Sequence, residues 1–435
     1  MDEQELAEGQ TDGEAIRNEA IDRYLQGQGI SQICRELGRS RSWFHQVRKR
    51  YRQYGRPGLQ EQSRAPHRVH NKTKPKVEAA IVRIRQAISD GQDPELRYAN
   101  IGADSIAFEL NRLDIKPPHR ATINRILDRH HLLQPRSKTG QSTNLPEDYS
   151  KPDSQQANAI HQFDFVSRRI KGSGERFYGC HLLDLARRWP YLRTITTKSA
   201  QAVIDFLVSA WQETGLPTAL QIDNDIVWNG GGRGQRVLST VTRFCLAVGV
   251  QVIYIPPYTP KANGIIESFN DLWNSNFWRR INFTDLTHLE AELPLFETYC
   301  RQRRPLPEFG GQTAAQLHPD FTPVPLLNPL PCDYQKRLPI YEGLVHFIRF
   351  VSNDGSFSIL NETWPLDKNL WAGSTIRATI DTQDQLLRIF HQSPNLPFCQ
   401  LIATFDFPLT TKVQPRSSAF VQDRPSIWPY FVSAL

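Results

Sequence analysis

One stretch of the chain predicts a complete strand–loop–helix unit with a carboxylate at its turn. The β-branched run at residues 252–255 predicts a buried strand. Three prolines in the next five residues exclude regular structure there, and the apolar pattern over residues 265–277 predicts a helix. Glu267 falls near the start of this helix among apolar neighbours. A carboxylate in that position is costly unless it is paired or binds a cation.

Two further carboxylates occur at predicted strands upstream. Asp164 lies in the segment 161–166, where the alternation puts Gln162 on its own face and His161 on the opposite face. Asp223 follows the short apolar strand 219–222. Carboxylates at strands and at a helix start can converge although they are far apart in the chain. Three of them would make a hard oxygen site suited to Mg²⁺ or Mn²⁺.

These residues resemble the D-D-E triad of the integrase-core transposases, which include retroviral integrases and the transposases of many bacterial insertion sequences. The most specific part is the string P-x-x-P-x-x-N-G-x-x-E, which runs here from Pro257 to Glu267. The resemblance implies two metal ions, Mg²⁺ or Mn²⁺. It implies that Asp164 bridges both ions, that Asp223 binds one and that Glu267 binds the other. The nucleophile would be water or a freed 3′-hydroxyl of DNA.

The same resemblance implies the substrate and the partners. The chain would bind double-stranded DNA at the terminal repeats of a mobile element, cut it and join it to target DNA, working as a homo-oligomer when assembled. Tyr258, Lys261 and Asn263 would contact the DNA strand near the metal ions. Two alternatives stay open: a catalytically silent DNA-binding relative that keeps the fold, and a plain metal nuclease without joining activity.

Two departures from the family pattern keep the first of these alternatives, the catalytically silent relative, open. Asp225 stands where the family has glycine, and it is a candidate fourth carboxylate. The interval between Asp223 and Glu267 is also longer than usual, and the surplus is placed in the glycine-rich segment 228–235. His161 is expected to be a packed core histidine. Asp184 is expected to pair with the arginines that follow it.

The first helices of the chain predict a helix-turn-helix domain at residues 16–56, after a disordered acidic tail at 1–15. Gly38 makes the turn, and Ser40 can cap a recognition helix that runs to about residue 54. Five polar residues of this helix would face DNA: Arg41, Ser42, His45, Gln46 and Arg48.

A second helix-turn-helix module is predicted at residues 77–133. It would expose four residues to DNA: Arg120, Thr122, Asn124 and Arg125. Tandem modules of this kind resemble the terminal-repeat binding region of many insertion-sequence transposases. The alternative is a three-helix bundle that merely packs on the enzyme.

Charge and turn residues mark the segments between these modules. A basic linker at 57–76 would follow phosphates or lie in a minor groove, and the whole chain carries 52 Lys and Arg against 45 Asp and Glu. A polar, turn-rich linker is predicted at 134–158.

The remainder predicts a multidomain protein with an α/β core. Residues 159–281 are expected to form a mixed sheet covered by helices, in the ribonuclease-H-like order that the resemblance implies. A helical extension and linker at 282–334, a small C-terminal β-barrel at 335–392 and a tail at 393–435 follow. The predicted core strands are 161–166, 177–184, 191–195, 219–222 and 250–255, and the helices are 200–213, 236–247 and 261–280.

Cysteine usage and hydropathy restrict the class of protein. The six cysteines are scattered without a C-x-x-C pair, so a zinc ribbon is not expected, and reduced thiols in a cytoplasm are the simple interpretation. The acidic N-terminus is unlike a signal peptide, and no apolar run reaches membrane-spanning length. We therefore expect a cytoplasmic, nucleoid-associated bacterial protein without membrane contact.

Overall fold

The fold is described from a computed structural model of the chain. The described residues are 12–61, 72–133, 145–229, 234–327, Leu330, Tyr334, 338–417, Phe420, 426–429 and 431–433. The chain divides into two units, Met1–Thr73 and Lys74–Leu435.

The described part of the first unit is a set of three helices closed by a short 3₁₀ turn. The helices are α1 (Asp12–Leu25), α2 (Ile30–Glu36) and α3 (Arg41–Tyr54), and the turn is Arg56–Leu59. Ala20, Ile33 and Phe44 bury their side chains between the helices. Ser40 caps α3 by accepting the Trp43 N–H at 3.1 Å, as the sequence predicts. Helix α1 begins four residues earlier than the predicted start at 16, so the predicted tail 1–15 overlaps it.

The second unit begins with three helices: α4 (Pro75–Asp90), α5 (Ala103–Arg112) and α6 (Arg120–Arg129). Their apolar faces share one core with helices that come much later in the chain. Tyr98, in the α4–α5 connection, contacts the Phe296 ring at a centroid distance of 5.4 Å and donates its hydroxyl to Glu292 at 2.6 Å. The helix set predicted at 77–133 therefore packs against later helices of the same unit.

The centre of the second unit is a mixed sheet with helices on its faces. Its first strands are β1 (Ile160–Arg169), β2 (Arg176–Asp184), β3 (Trp189–Ile195), β4 (Ala219–Ile222) and β5 (Gln251–Tyr254). The helices among and after them are α7 (Ala200–Thr214), α8 (Ile226–Asn229), α9 (Thr240–Ala247) and α10 (Gly264–Trp273). These strands lie in the order β5-β4-β1-β2-β3, with β2 antiparallel to its neighbours and β4 and β5 parallel to β1. This is the predicted ribonuclease-H-like order.

Alternation along β1 divides its side chains between the two faces of the sheet. Phe163 faces α7 and α8, where its ring contacts Phe206 at 5.4 Å and Trp228 at 5.0 Å. Gln162 and Asp164 face α10 on the other side. The predicted alternation is therefore correct, and it aims a carboxylate at the helix that carries Glu267.

The segment after α10 is helical but irregular. A π-helical turn, Asn274–Trp278, takes the place of the regular helix end that was predicted to reach residue 280. Helix α11 (Leu286–Gln302), a 3₁₀ turn (Pro307–Phe309) and helix α12 (Ala314–Leu317) follow.

Of the nine described C-terminal strands, five extend the core sheet and the other four form two separate two-stranded sheets. They are β6 (Ile340–Tyr341), β7 (Leu344–Phe350), β8 (Ser356–Ile359), β9 (Glu362–Pro365), β10 (Thr375–Asp381), β11 (Leu386–His391), β12 (Cys399–Asp406), β13 (Val413–Gln414) and β14 (Phe431–Ser433), with helix α13 (Lys368–Trp371) between β9 and β10. Strand β7 pairs in parallel with β5, where His346 lies opposite Ile253. Among the described residues one sheet thus holds ten strands, in the order β14-β12-β11-β10-β7-β5-β4-β1-β2-β3.

This arrangement corrects two predictions. Of the strands expected to form a separate small β-barrel at 335–392, β7, β10 and β11 instead continue the core sheet, because β7 pairs with β5, while β8 pairs with β9 and β6 pairs with β13. The expected tail at 393–435 contributes β12, β13 and β14.

The predicted linker at 134–158 is also packed where the structure describes it, from residue 145 onward. Tyr149 is buried against Trp428 in one apolar cluster. Asp148 accepts the Thr375 N–H at 2.6 Å. Residues 134–144 of that predicted linker lie outside the described residues.

Two expectations about the chain as a whole can be compared with the described residues. No helix among them combines the length and the apolar character needed to cross a membrane. The five described cysteines, Cys34, Cys180, Cys245, Cys300 and Cys399, are free and buried.

Candidate active site

The three carboxylates singled out from the sequence line one cavity of about 440 Å³. Asp164 comes from β1, Asp223 follows β4, and Glu267 lies in the first turns of α10. The cavity is completed by Asn224, Asp225, Asn263 and the loop at 255–259. The sheet order explains this convergence, because β1 and β4 are parallel neighbours and α10 packs against β1.

Asp164 is held by two hydrogen bonds in a half-buried position. Its Oδ1 accepts the Phe165 N–H at 2.8 Å, and its Oδ2 accepts the side-chain amide of Asn270 at 2.7 Å. Burial, and then the negative charges of Asp223 and Glu267, raise the pKa of Asp164 to about 6. The carboxylates of the cavity therefore interact electrostatically.

Two residues that the sequence analysis missed, Asn270 and His181, hold Asp164 in this position. Asn270 Oδ1 accepts the Nδ1–H of His181 at 2.6 Å, which turns the amide nitrogen of Asn270 toward Asp164. Burial lowers the pKa of His181 to about 4, so the ring is neutral. The sequence did contain a signal, because Asn270 lies one helical turn after Glu267 and so shares its helix face.

Asp223 and Asp225 have different surroundings. Burial raises the pKa of Asp223, and the charge of Asp225 raises it further. Asp223 Oδ1 accepts the Asp225 N–H at 3.1 Å, which fixes the turn after β4. Asp225 is ion-paired with the Lys198 ammonium at 2.6 Å, and that ammonium also lies 4.3 Å from the centroid of the Phe165 ring. Asp225 therefore already has a cationic partner.

Two buried glutamines position Glu267 by fixing the start of its helix. Gln162 Oε1 accepts the Ile266 N–H at 3.0 Å, one of the amides that a helix start leaves unpaired. Gln221 donates to the Ala262 carbonyl at 2.8 Å and to Asn263 Oδ1 at 3.0 Å. Burial raises the pKa of Glu267, and nearby Asp271 adds to the effect.

A buried arginine from β7 holds the opposite wall of the cavity. Arg349 donates to Asn224 Oδ1 at 2.9 Å and to the Ile255 carbonyl at 3.1 Å. It also donates to the carbonyls of Ile348 and Ser358. Burial lowers its pKa to about 10, so it remains charged at neutral pH. No sequence signal connected Arg349 to this cavity, because its strand lies beyond the core that the motif defines.

The residues predicted to contact DNA near the cavity differ in exposure. Tyr258 is fully exposed at the rim, with a backbone φ of 56° that non-glycine residues seldom adopt. Lys261 lies in a neighbouring groove beside Tyr149, not in the cavity itself. Asn263 is 3% exposed, and its amide oxygen accepts a hydrogen bond from Gln221.

On the recognition helix α3 the predicted contact residues are mostly exposed. Arg41, Ser42, His45 and Gln46 face solvent. Arg48 is half-buried, with its guanidinium 4.9 Å from the centroid of the Tyr24 ring. Four of the five residues are thus available to a partner of this unit.

On α6 of the second unit, Arg120 and Arg125 are exposed, whereas Thr122 and Asn124 are half-buried. Arg120 pairs with Asp104 at 3.3 Å. Part of the surface predicted for base contact is therefore used within the helix set.

Two further predicted segments lie partly outside the described residues. Of the basic linker at 57–76, residues 62–71 lie outside them. Of the glycine-rich segment at 228–235, residues 230–233 lie outside them. The start of the latter segment is not a loop, because Trp228 lies in α8 and is buried in the core.

Two other polar residues behave as core groups. His161 is fully buried, bonds Asn158 Oδ1 at 3.0 Å and has its pKa lowered by burial to about 3, which confirms the core assignment. Asp184 accepts backbone N–H groups from Asn158 and Ala186. Arg187 lies 3.9 Å from Asp184, while Arg188 pairs with Glu308 instead.

The cavity suits a hard divalent cation, because all the charged side chains that line it are carboxylates. The described residues contain no group of three His, Cys, Asp or Glu already gathered at metal-binding distance. Each oxygen of Asp164 accepts one hydrogen bond from the protein, which leaves a lone pair on each for an ion.

Comparisons with known proteins identify one domain and several remote structural likenesses. Residues 12–60 match the homeodomain-like domain family. A chain in the structure of the simian T-cell lymphotropic virus intasome in complex with PP2A regulatory subunit B56 gamma is 14% identical, with a TM-score of 0.34, covering 69% of this chain and 95% of that one. The HTLV-2 integrase catalytic core domain in complex with magnesium is 17% identical, with a TM-score of 0.29, covering 38% and 99%. The BIV integrase catalytic core domain is 16% identical, with a TM-score of 0.28, covering 38% and 95%.

Proposed function

We propose that this chain is a DNA transposase or integrase that binds element ends and performs metal-dependent strand cleavage and strand transfer. The observation that carries the proposal is the convergence of Asp164, Asp223 and Glu267 on one cavity in a ribonuclease-H-like sheet. The exposed rim residue Tyr258 supports a nucleic-acid substrate, because an aromatic side chain there can stack on a base.

Asp164, Asp223 and Glu267 would hold two Mg²⁺ or Mn²⁺ ions. When bound, such ions supply Lewis-acid stabilisation of the attacking and leaving oxygens at phosphorus. Asp164 is central to this role, because the negative charges of both Asp223 and Glu267 raise its pKa. Asn270 and the two buried glutamines keep the carboxylates in place, and Arg349 fixes the loop that closes the cavity.

DNA recognition is proposed for the first unit. Its residues 12–60 match a homeodomain-like domain, and α3 exposes Arg41, Ser42, His45 and Gln46. The net charge of +7 favours a polyanionic partner. An insertion-sequence origin, assembly as a homo-oligomer on paired element ends, and a cytoplasmic, nucleoid-associated location belong to the same proposal.

The test is strand transfer by the full chain with fluorescent duplexes taken from the DNA that flanks the gene. Joining that requires Mg²⁺ or Mn²⁺, stops with EDTA and is lost in Glu267→Gln would support the proposal. Tight binding without cutting under either metal would favour the catalytically silent relative. Cutting without joining would favour a metal nuclease.

Metal binding should stabilise the protein in a pH-dependent way. The pKa of Asp164 is near 6, so this carboxyl is mostly protonated at pH 5.5 and ionised at pH 7.5. We expect 10 mM Mg²⁺ to raise Tm by about 2–4 °C at pH 7.5 and by less than about 1 °C at pH 5.5. Differential scanning fluorimetry measures both shifts, with Glu267→Gln as the control that should lose the larger one. Equal shifts at the two pH values would contradict the assignment of these carboxylates.

The ion pair of Asp225 predicts that it is less important than Asp223. Asp225 already forms an ion pair with Lys198. We therefore expect Asp225→Asn to lower strand transfer by less than about 10-fold, whereas Asp223→Asn should lower it by about 10³-fold. Single-turnover assays of the two variants make the comparison. If the Asp225 variant is the more damaged, Asp225 is the true ligand and Asp223 is a turn residue.

A further inference from the structure

A second concave site lies on the second unit, at the junction of α4 with the π-helical turn. It is a cleft of about 770 Å³ whose lining includes Arg85, Arg97, Arg279 and Arg280. We refer to these four residues and their cleft as the arginine cleft. Asp90 is the one carboxylate among its described lining residues.

The charges of the arginine cleft are incompletely balanced. Arg97 pairs with Glu292 at 2.8 Å. In the part of the chain that the structure describes, no ion pair to a carboxylate is found for Arg85, Arg279 or Arg280. Of these three, Arg279 is exposed and Arg280 is half-buried, so an anion from outside can reach their positive charge.

Two of these arginines are fixed by backbone carbonyls, which are neutral partners. Arg85 is 5% exposed and donates to the Leu132 carbonyl at 3.0 Å and to Ser89 Oγ at 2.7 Å. Arg280 donates to the carbonyls of Arg97 and Ala99 at 3.0 and 2.9 Å. These bonds hold the guanidinium groups in place without neutralising them. Such pre-positioned guanidinium groups are well suited to bind phosphate oxygens.

Two guanidinium groups of the arginine cleft lie close enough to affect each other electrostatically. Burial lowers the pKa of Arg280, and the neighbouring Arg85 cation lowers it further although Tyr299 opposes the change. Two like charges at the edge of a cleft repel each other. An anion placed between them would relieve that repulsion.

The π-helical turn shapes the site. Asn276, buried within it, donates to the Tyr98 carbonyl at 2.9 Å and to Asn100 Oδ1 at 2.7 Å. These bonds tie the end of the α10 segment to the α4–α5 connection, and Arg279 follows directly with its side chain exposed. Wide turns of this kind are frequent at functional sites in helices.

We propose that the arginine cleft binds the phosphate backbone of duplex DNA, as an anchoring site separate from the carboxylate cavity. The choice of DNA over other anions rests on the proposed function. The cleft lies at the far end of the helical segment that begins beside Glu267, roughly 20 Å away at a 1.5 Å rise per residue. That length corresponds to about six base pairs at 3.4 Å each. A duplex that extends about six base pairs from the carboxylates along this segment would reach the cleft.

The experiment measures binding of the full chain to a fluorescent duplex by anisotropy, in EDTA so that no cleavage interferes. Arg279→Glu is the test variant, because its side chain is exposed and the substitution spares the fold. Arg83→Glu is the matched control, because Arg83 is an exposed arginine of α4 outside the cleft. Asp90→Asn removes the lining carboxylate and should therefore change DNA affinity in the opposite direction.

We expect Arg279→Glu to weaken binding about 10-fold and to reduce the slope of log Kd against log salt by about 1, while Arg83→Glu changes affinity by less than about 2-fold. Asp90→Asn should tighten binding by about 2–3-fold, since it removes one repelling charge. Equal losses in Arg279→Glu and Arg83→Glu would overturn the proposal in favour of diffuse attraction. Unchanged duplex affinity in Arg279→Glu would also overturn it.

A second arm distinguishes DNA from free phosphate. Inorganic phosphate at 10 mM is tested by thermal shift on wild type and on Arg279→Glu. Stabilisation of wild type alone, with DNA affinity unchanged in the variant, would mean that the cleft binds only the small anion, and the DNA proposal would fall. If wild type binds no duplex at all, the proposed function itself fails, whereas binding without cutting leaves the cleft proposal standing.

Discussion

Replacement of Asp164 by asparagine is expected to abolish strand cleavage and joining while making the metal-free protein more stable. Asp164 is the carboxylate whose pKa is raised by both Asp223 and Glu267, after the larger effect of burial. Removing such a central group typically costs about 10³-fold or more in rate. Single-turnover strand transfer with Mg²⁺ and with Mn²⁺ measures the loss.

The substitution that removes activity should increase the stability of the protein, because it removes a buried carboxylate that neighbouring negative charges repel. An Asp whose pKa is raised from 3.8 to about 6 by folding destabilises the folded state when it is ionised. The free energy of unfolding should therefore fall as pH rises from about 4 to 6 and stay low above that. Asp164→Asn removes this penalty and should gain on the order of 1 kcal/mol at pH 7.5 and nothing near pH 4. Urea unfolding at the two pH values tests this.

A control separates the site from general charge effects. Asp205 is an exposed carboxylate of α7 outside the cavity, and Asp205→Asn should change neither activity nor the pH dependence of stability. If Asp164→Asn keeps activity within about 10-fold of wild type, Asp164 is not a metal ligand and the proposed mechanism is wrong.

Arg349→Met is the second substitution for which we expect a large effect, a loss of about 10–100-fold in strand transfer, typical of removing a residue that orients metal ligands. It would leave the Ile255 carbonyl without this donor and release Asn224 beside Asp223. The loop that closes the cavity would then be less well fixed. We expect a higher Mg²⁺ concentration for half-maximal activity, because the ligands must be ordered by the ion itself.

The matched control for this substitution is Arg377→Met. Arg377 is also a buried arginine, on the adjacent strand β10, but its guanidinium lies over the Phe390 and Trp428 rings and away from the cavity. Both variants should lose stability, yet only Arg349→Met should shift the Mg²⁺ requirement. Arg349→Lys should restore stability more than activity, because one ammonium cannot satisfy several separate acceptors. A parallel Mg²⁺ shift in Arg377→Met would reduce Arg349 to a general structural residue.

The sequence predicted the features that local pattern determines. Alternation along β1 placed Asp164 and Gln162 on the face toward α10, and the strand at 219–222 was predicted with the bounds that the structure has. Ser40 and Gly38 located the helix-turn-helix, because capping and turn chemistry act over a few residues. The convergence of the three carboxylates followed from the family motif, not from spacing alone.

The features that the sequence did not predict depend on long-range pairing. Strand β7 could equally well have begun a separate barrel, since alternation tells which residues face inward and not which strand is the neighbour. The π-helical turn after α10 also has no sequence signal, because its residues have the pattern of an ordinary helix. Strand β12, in contrast, could have been found, because its run from Cys399 to Asp406 is rich in strand-forming residues.

The parallel pairing of β5 with β7 affects when the protein can become functional during synthesis. Asn224 and Ile255 leave the ribosome well before Arg349, which is about 90 residues further along the chain and takes on the order of 5–20 s to arrive at ordinary elongation rates. Until then the nascent chain has its carboxylates but not the arginine that fixes the loop beside them. The order of translation thus delays completion of the proposed DNA-cutting centre until most of the polypeptide exists.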